Sequence, residues 1–519
     1  MAMDPQAARN SQESTSEDPS FQHDPSDEID QINGISQAST ELSNGYISPI
    51  PPAPRPERRR GINHRRPYWV LRVEHFFALR RVWFPVWQLL TLFIFIALIF
   101  VPPFLPEPPE SATPLTHFTK FAIYVMWGIW FPVVLLSVIL VGRAWCGMFC
   151  PQGAVSEWAS RIGLKWPVPA WIMWSGMPIV SFLLVTALGQ TLGVRDHPEA
   201  ILELFGGTLL LALVSGLLFA HRQRAWCRHL CPIGLLLGIF SRLGSAFFSF
   251  KSLRAGGDRY CTKCLCPTMV DIRYKSESRH CIACFKCISP GARNGVNLYF
   301  HRPGWEVEAI HEHNPNLAEV EFLFLATGIA LGAFLWLVLP EYQLYRQFLT
   351  GWFFDHGWYW VGEPGPSWLM SVHPQRSEIF TWIDFFGISS FMTGFMGFLW
   401  LVLTTTTAMT AWLVARLQGG NWRKHFVELG YQYAPVAMIS LVLGLGGELF
   451  KVFFWLGLSM AEIAHIKMGV FYFALFWSGY LGWAILRNQG VSARIRLIPL
   501  LPGLMGSVII GYFWQRALF

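Results

Sequence analysis

Charged side chains are scarce in this chain: Asp, Glu, Lys and Arg supply 14% of its 519 residues, against 53% hydrophobic ones. Soluble domains usually carry about one quarter charged residues, so an ordinary water-soluble protein is excluded. Apolar runs such as LLTLFIFIALIFVPPFL (89–105) and YVMWGIWFPVVLLSVILV (124–141) approach the ~20 residues that cross ~30 Å of hydrocarbon. Histidine is nearly absent from such runs, so axial ligands for a b-type haem are lacking and no haem is expected. Residues 1–66 contain no apolar stretch of the kind a signal peptide needs.

The apolar segments predict an all-α polytopic membrane protein with about nine spans, near 83–104, 119–141, 170–191, 201–220, 320–340, 383–414, 432–456, 467–486 and 497–516. Residues 1–54 hold nine acids and one base among many Ser, Gln, Asn and Pro, which predicts disorder. The basic run RPERRRGINHRR (55–66) reads as a topology signal, with anionic-lipid contact as the alternative. Lys and Arg then alternate between loops: 142–168, 221–318, 416–428 and 487–496 are basic, and the loops between them are acidic or sparse. This pattern predicts that the amino terminus and the basic loops face the cytoplasm. The expected organisation is a disordered segment at 1–66, duplicated hairpins at 67–250, a cysteine-rich cytoplasmic segment at 251–318 and a helical membrane unit at 319–519.

Cysteine is confined as well. All ten lie in four compact clusters, at 146/150, 227/231, 261/264/266 and 281/284/287. Small packing residues would be scattered, so this confinement points to ligands. The first two clusters are copies: RAWCGMFCPQG (143–153) returns as RAWCRHLCPIG (224–234), and SRIG (160–163) returns as SRLG (241–244), all at an offset of 81 residues. The first four spans therefore read as a duplicated helical hairpin. A pseudo-twofold axis between the copies would bring Cys146, Cys150, Cys227 and Cys231 together as a candidate metal centre. Arg143 and Arg224 read either as charge partners for it or as topological anchors. Disulfides are not expected on a reducing face.

The other two clusters form the segment CTKCLCPTMVDIRYKSESRHCIACFKC. Ferredoxins with two clusters repeat C-x2-C-x2-C-x3-C-P, and the fourth cysteine of each run ligates the other cluster. Cys281, Cys284 and Cys287 keep the spacing of one run, and Cys266-Pro267 fits the fourth position of the other. Cys266, Cys281, Cys284 and Cys287 therefore make one full set for a 4Fe–4S cluster. Cys261 and Cys264 are left without a third partner, and Gly291 stands where their fourth ligand would be. A second iron or iron–sulfur centre has two possible homes: the four repeat cysteines alone, or Cys261 and Cys264 with two of those thiolates. Zinc on Cys261, Cys264, Cys281 and Cys284 is the competing reading.

With these motifs the chain resembles the NosR/NapH-type membrane-bound ferredoxin-like proteins, which carry two C-x3-C-P motifs; the resemblance covers roughly 80–300. It implies a helical core in a bacterial inner membrane, cytoplasmic iron–sulfur clusters, and electron transfer between the quinol pool or a cytoplasmic donor and a respiratory or periplasmic redox partner. The alternative is an assembly or metal-handling factor whose C-x3-C-P cysteines bind or reduce a metal for a partner enzyme. The membrane, a partner protein and quinone are thus the candidate partners, and nucleic acid is not among them. Members of the group usually have two full four-cysteine runs, and this chain has fewer. In the carboxy-terminal half, Glu448 and Lys451 are expected inside a span as an ion pair or a quinone or proton site, and His311-Glu312-His313 as a solvated loop.

Overall fold

The computed structural model describes residues 66–109, 111–219, 221–250, 266–272, 275–288, 296–374 and 378–519. Cys261, Cys264 and Gly291, like the segment 1–54, lie outside the described residues. Eight helices among them are long and apolar enough to cross a membrane, and the shorter apolar helix Met177–Thr191 stands where a ninth span is expected. The protein is a multi-pass helical membrane protein.

Two of these spans share an unusual feature. Helix α1 (Phe118–Val141) and helix α2 (Pro198–Leu218) each contain a π-helical turn, at Val125–Trp130 and at Leu202–Gly206. Such bulges are rare and accumulate at functional sites. Each span runs into one C-x3-C-P motif and then into a short helix, α3 (Pro151–Ile162) after the first and α4 (Gly234–Ser241) after the second. Proline begins α3 because its missing N–H costs nothing in a first turn. The short helices cross over: α3 packs on α2, and α4 packs on α1. Small residues permit this approach. A Cβ on Gly163 would lie 2.1 Å from the Leu217 carbonyl of the second copy, and one on Gly244 would lie 2.8 Å from the Val138 carbonyl of the first. These reciprocal contacts are what a pseudo-twofold pair requires.

After α4 the chain forms strand β1 (Ala246–Phe250), which pairs antiparallel with β2 (Val296–Phe300). This ribbon closes the base of the cysteine-rich segment. The carboxy-terminal half is built on α5 (Leu317–Val338), α6 (Trp382–Gln418), α7 (Trp422–Leu445), α8 (Met460–Asn488) and α9 (Leu497–Leu518). Its centre is α7, most of whose side chains are buried. At ~1.5 Å per residue, the 37 residues of α6 reach ~55 Å, beyond the hydrocarbon thickness. Its start is fixed by a capping box between Thr381 and Asp384.

The sequence expectation fails at the end of α7. That helix stops at Leu445 instead of continuing to 456, because glycines follow at 446 and 447 and the chain turns sharply. Glu448 and Lys451 consequently lie past the end of that span, where they pair with each other at 2.6 Å. The His311–His313 loop differs too. His313 is buried, with Nδ1 2.5 Å from the Ser276 carbonyl and its ring against Phe247 and Trp305.

Candidate iron–sulfur site

Two thiol groups come together at one end of the bundle. Cys146 and Cys150 of the first copy meet Cys227 and Cys231 of the second. Burial, reinforced by Cys146 and Cys227, pushes the Cys150 thiol up to about 12. Burial raises Cys227 to about 11 although Arg224 pulls it down, and Cys231 rises by burial and by the nearness of Cys227, Cys150 and Cys146. The motif glycines are packed against these sulfurs. A Cβ on Gly153 would stand 3.1 Å from the Cys227 Sγ, and one on Gly234 would stand 3.2 Å from the Cys231 Cβ.

The second group is Cys266, Cys281, Cys284 and Cys287. These four line one cavity of about 30 Å³, together with Phe248, Val270, Ile272 and Lys275. Burial and the neighbouring Cys266 push Cys284 up to about 12; burial, Cys281, Cys284 and Cys266 raise Cys287 as well. Ala283 (φ 47°) and Phe285 (φ 56°) both adopt the left-handed region that side chains avoid. Such strain collects at functional sites, and alternating backbone of this kind turns successive N–H groups inward to make an anion-binding nest. Four thiols, one buried and three half-buried, around an apolar hollow beside left-handed backbone fit an anionic iron–sulfur cluster.

The two groups are adjacent. A Cβ on Gly147, the neighbour of Cys146, would lie 2.1 Å from the Ile282 carbonyl and 3.0 Å from the Cys284 nitrogen. The cysteine-rich loop therefore sits backbone to backbone on the first motif. Basic residues clamp it there. Arg143 Nη1 donates to the Arg279 carbonyl at 2.7 Å, and the Arg224 backbone N–H donates to the Pro267 carbonyl at 2.6 Å. Arg228 Nη1 reaches the Thr268 carbonyl at 3.2 Å. Arg143 and Arg224 are 3% and 1% exposed, so they are internal braces and not topological anchors.

Sequence reasoning missed the acids of this region. Glu157, on α3, accepts from Arg224 Nε at 2.8 Å and pairs with Lys286, which lies between Cys284 and Cys287. One buried carboxylate thus joins the second motif to the cysteine loop. Glu319 does the same deeper in the fold: it binds Arg242 Nε at 2.9 Å, pairs with Arg279, and accepts from the Tyr431 hydroxyl at 2.8 Å. Isolated acids in helices give no periodic signal, so nothing in the sequence marked them.

A pH prediction follows from Glu157. Burial alone would raise its pKa, but Arg224 and Lys286 outweigh that and hold the carboxyl at about 2, below the ordinary 4.5. A depressed carboxyl stabilises the fold fully above its unfolded pKa and loses that contribution as pH falls through the folded value. Comparison of wild type with Glu157→Gln should show a stability gap of about 3 kcal/mol near neutrality that narrows only below about pH 4.5. Unfolding in detergent at a series of pH values measures it; a gap that ignores pH would refute the role given to this carboxylate.

Comparison with known proteins points to the same class of cofactor. The 4Fe-4S binding domain family Fer4_5 matches twice, at residues 124–169 and 202–251, so that each match contains one C-x3-C-P motif. Over these motifs the chain is similar to membrane-bound ferredoxin-type proteins. It is 27% identical over 241 residues to the putative electron transport protein YccM of Escherichia coli, covering 41% of this chain and 67% of that one. It is 28% identical over 148 residues to the methylamine utilization ferredoxin-type protein MauN of Methylorubrum extorquens, covering 25% of this chain and 48% of that one. With the ferredoxin-type protein NapH of Haemophilus influenzae the identity is 27% over 181 residues, 30% of this chain and 62% of that one. An uncharacterized Methanocaldococcus jannaschii protein is spanned over 64% of its length, slightly under two thirds. No solved structure matches. The family match supports a 4Fe–4S cluster in this chain.

Proposed function

We propose that this protein passes electrons between the quinol pool or a cytoplasmic donor and a respiratory or periplasmic redox partner, using two neighbouring centres at the cytoplasmic end of the bundle. Cys266, Cys281, Cys284 and Cys287 would hold one 4Fe–4S cluster, and Cys146, Cys150, Cys227 and Cys231 the second iron or iron–sulfur centre. The observation that carries this reading is the backbone contact of Gly147 with Ile282 and Cys284, which sets the two thiol groups side by side.

A cluster in each place supplies one-electron chemistry, at a potential set by charge, hydrogen bonds and exposure. The chain supplies the surroundings. Apolar side chains such as Phe248, Val270 and Ile272 exclude water from the group of Cys266, Cys281, Cys284 and Cys287. Arg143, Arg224 and Arg228 place positive charge beside both groups and offset thiolate charge. Glu157 limits that offset by neutralising Arg224 and Lys286.

Anaerobic iron and acid-labile sulfide analysis with EPR tests the assignment. Cys266→Ser should remove the loop's iron and its signal while leaving the iron held by the repeats. Cys227→Ser should do the reverse. If Cys266→Ser leaves all iron and sulfide in place, the ligand set is wrong. Bound iron without labile sulfide, lost only on changing the repeat cysteines, would favour metal handling instead.

A further inference from the structure

The end of the bundle opposite the cysteines holds a second convergence of ligands. His197 immediately precedes α2, Glu199 lies in its first turn, and His373 comes from the segment before α6. One ligand atom from each lies within 4.8 Å of the others. His373 is 174 and 176 positions from the other two in sequence, so only the packing of the hairpins on the carboxy-terminal half brings it to them.

The site has an orienting shell. His197 is 1% exposed, and its Nε2 lies 3.0 Å from Glu378 Oε2. Ser371 Oγ in turn donates to Glu378 Oε1 at 2.9 Å. Gly193, at φ 67°, folds so closely over the ring that a Cβ there would stand 2.9 Å from His197 Cδ2. The His373 segment is tied to the same corner, since the Ser371 N–H donates to the Thr191 carbonyl at 2.7 Å and Thr191 Oγ1 donates to the Leu369 carbonyl at 2.9 Å. The two imidazoles lie stacked, with centroids 3.7 Å apart and planes at 14°.

We propose that His197, Glu199 and His373 bind a divalent transition-metal ion of the zinc class. Two imidazoles and one carboxylate are a donor set for zinc and its first-row neighbours, and not for calcium or magnesium, which take oxygen ligands. A ligating histidine usually gives its other ring nitrogen to a carboxylate, which fixes its tautomer and orientation. Glu378 on His197 Nε2 has that role. His373, which is only partly buried, would turn out of the 14° stack on binding so that a ring nitrogen faces the ion. The ion would clasp the second hairpin to the segment that leads into α6. It uses no residue of the iron–sulfur centres and stands apart from the electron-transfer reading.

The test uses the full-length holoprotein in detergent, stripped with a chelator and titrated with Zn²⁺. Zinc K-edge absorption then separates this site, with an all N/O shell at about 2.0–2.1 Å, from zinc on thiolates at about 2.3 Å. Wild type should take up one equivalent with the N/O shell, and His373→Gln should lose it with iron content unchanged. Glu378→Gln, which removes only the orienting carboxylate, should weaken binding about 10- to 100-fold. Zinc held only on sulfur, or uptake unchanged in His373→Gln, would overturn the proposal. Should His373→Gln fold poorly, Glu199→Gln at the exposed ligand provides the same comparison.

Discussion

Glu319→Ala should destabilise the protein by about 3–5 kcal/mol, as expected when one partner of a buried ion pair is removed. The carboxylate is 1% exposed and Arg242 is fully buried, so the guanidinium cannot recover its lost partner from water. Arg242 would keep Glu306 at 3.0 Å, but Arg279 and Tyr431 would also lose an acceptor. Because Arg279 lies two residues before Cys281 and its carbonyl is the one Arg143 holds, the damage should spread to the cysteine loop. Thermal unfolding in detergent measures the loss. The exposed pair of Glu341 and Arg516 supplies the contrast: Glu341→Ala should cost less than about 1 kcal/mol. Equal effects from the two substitutions would show that burial does not govern these ion pairs.

The position of Arg242 also shows what the repeat conceals. It is the SRLG counterpart of Arg161 in SRIG, yet Arg161 is half exposed and pairs loosely with Glu157 at 3.5 Å. Identical letters thus occupy opposite environments, because Arg242 is enclosed by Glu277, Glu306 and Glu319, whereas Arg161 has only the edge of Glu157. The duplication was legible because it rests on identities at a fixed offset, and the spans were legible because twenty apolar residues in a row have few alternatives. The clustering of cysteines likewise pointed to ligands without help from the fold. What escaped was everything that depends on single residues meeting at long range. Glu157, Glu306 and Glu319 are isolated acids, His313 is a loop histidine that turns inward, and α7 ends at a glycine-rich turn inside a hydrophobic run. A signal did exist at one place. Where the first copy has Gly147 the second has Arg228, and that mismatch marks the side on which the loop lies.

Gly147→Ala tests that contact without touching a thiol. Gly147 lies in the short helix Ala144–Met148, where alanine is intrinsically favoured over glycine by about 1 kcal/mol. Propensity therefore predicts a small gain in stability. Packing predicts the reverse, since the new methyl would stand 2.1 Å from the Ile282 carbonyl oxygen, 3.0 Å from the Cys284 nitrogen and 3.1 Å from its Cα. These are backbone atoms beside left-handed Ala283 and Phe285, so they cannot rotate away as a side-chain tip would. Overpacking of this kind costs about 1–3 kcal/mol, and here the weaker structure is the loop, which must lift from the motif. The expected result is a loss of most of the iron and sulfide assigned to Cys266, Cys281, Cys284 and Cys287, with the iron of the repeats retained. Gly207→Ala is the matched control, because a Cβ there meets nothing within 4 Å, and it should leave iron content unchanged. If Gly147→Ala keeps full iron and the wild-type melting temperature, the loop does not rest on the first motif, and the side-by-side placement of the two centres fails with it.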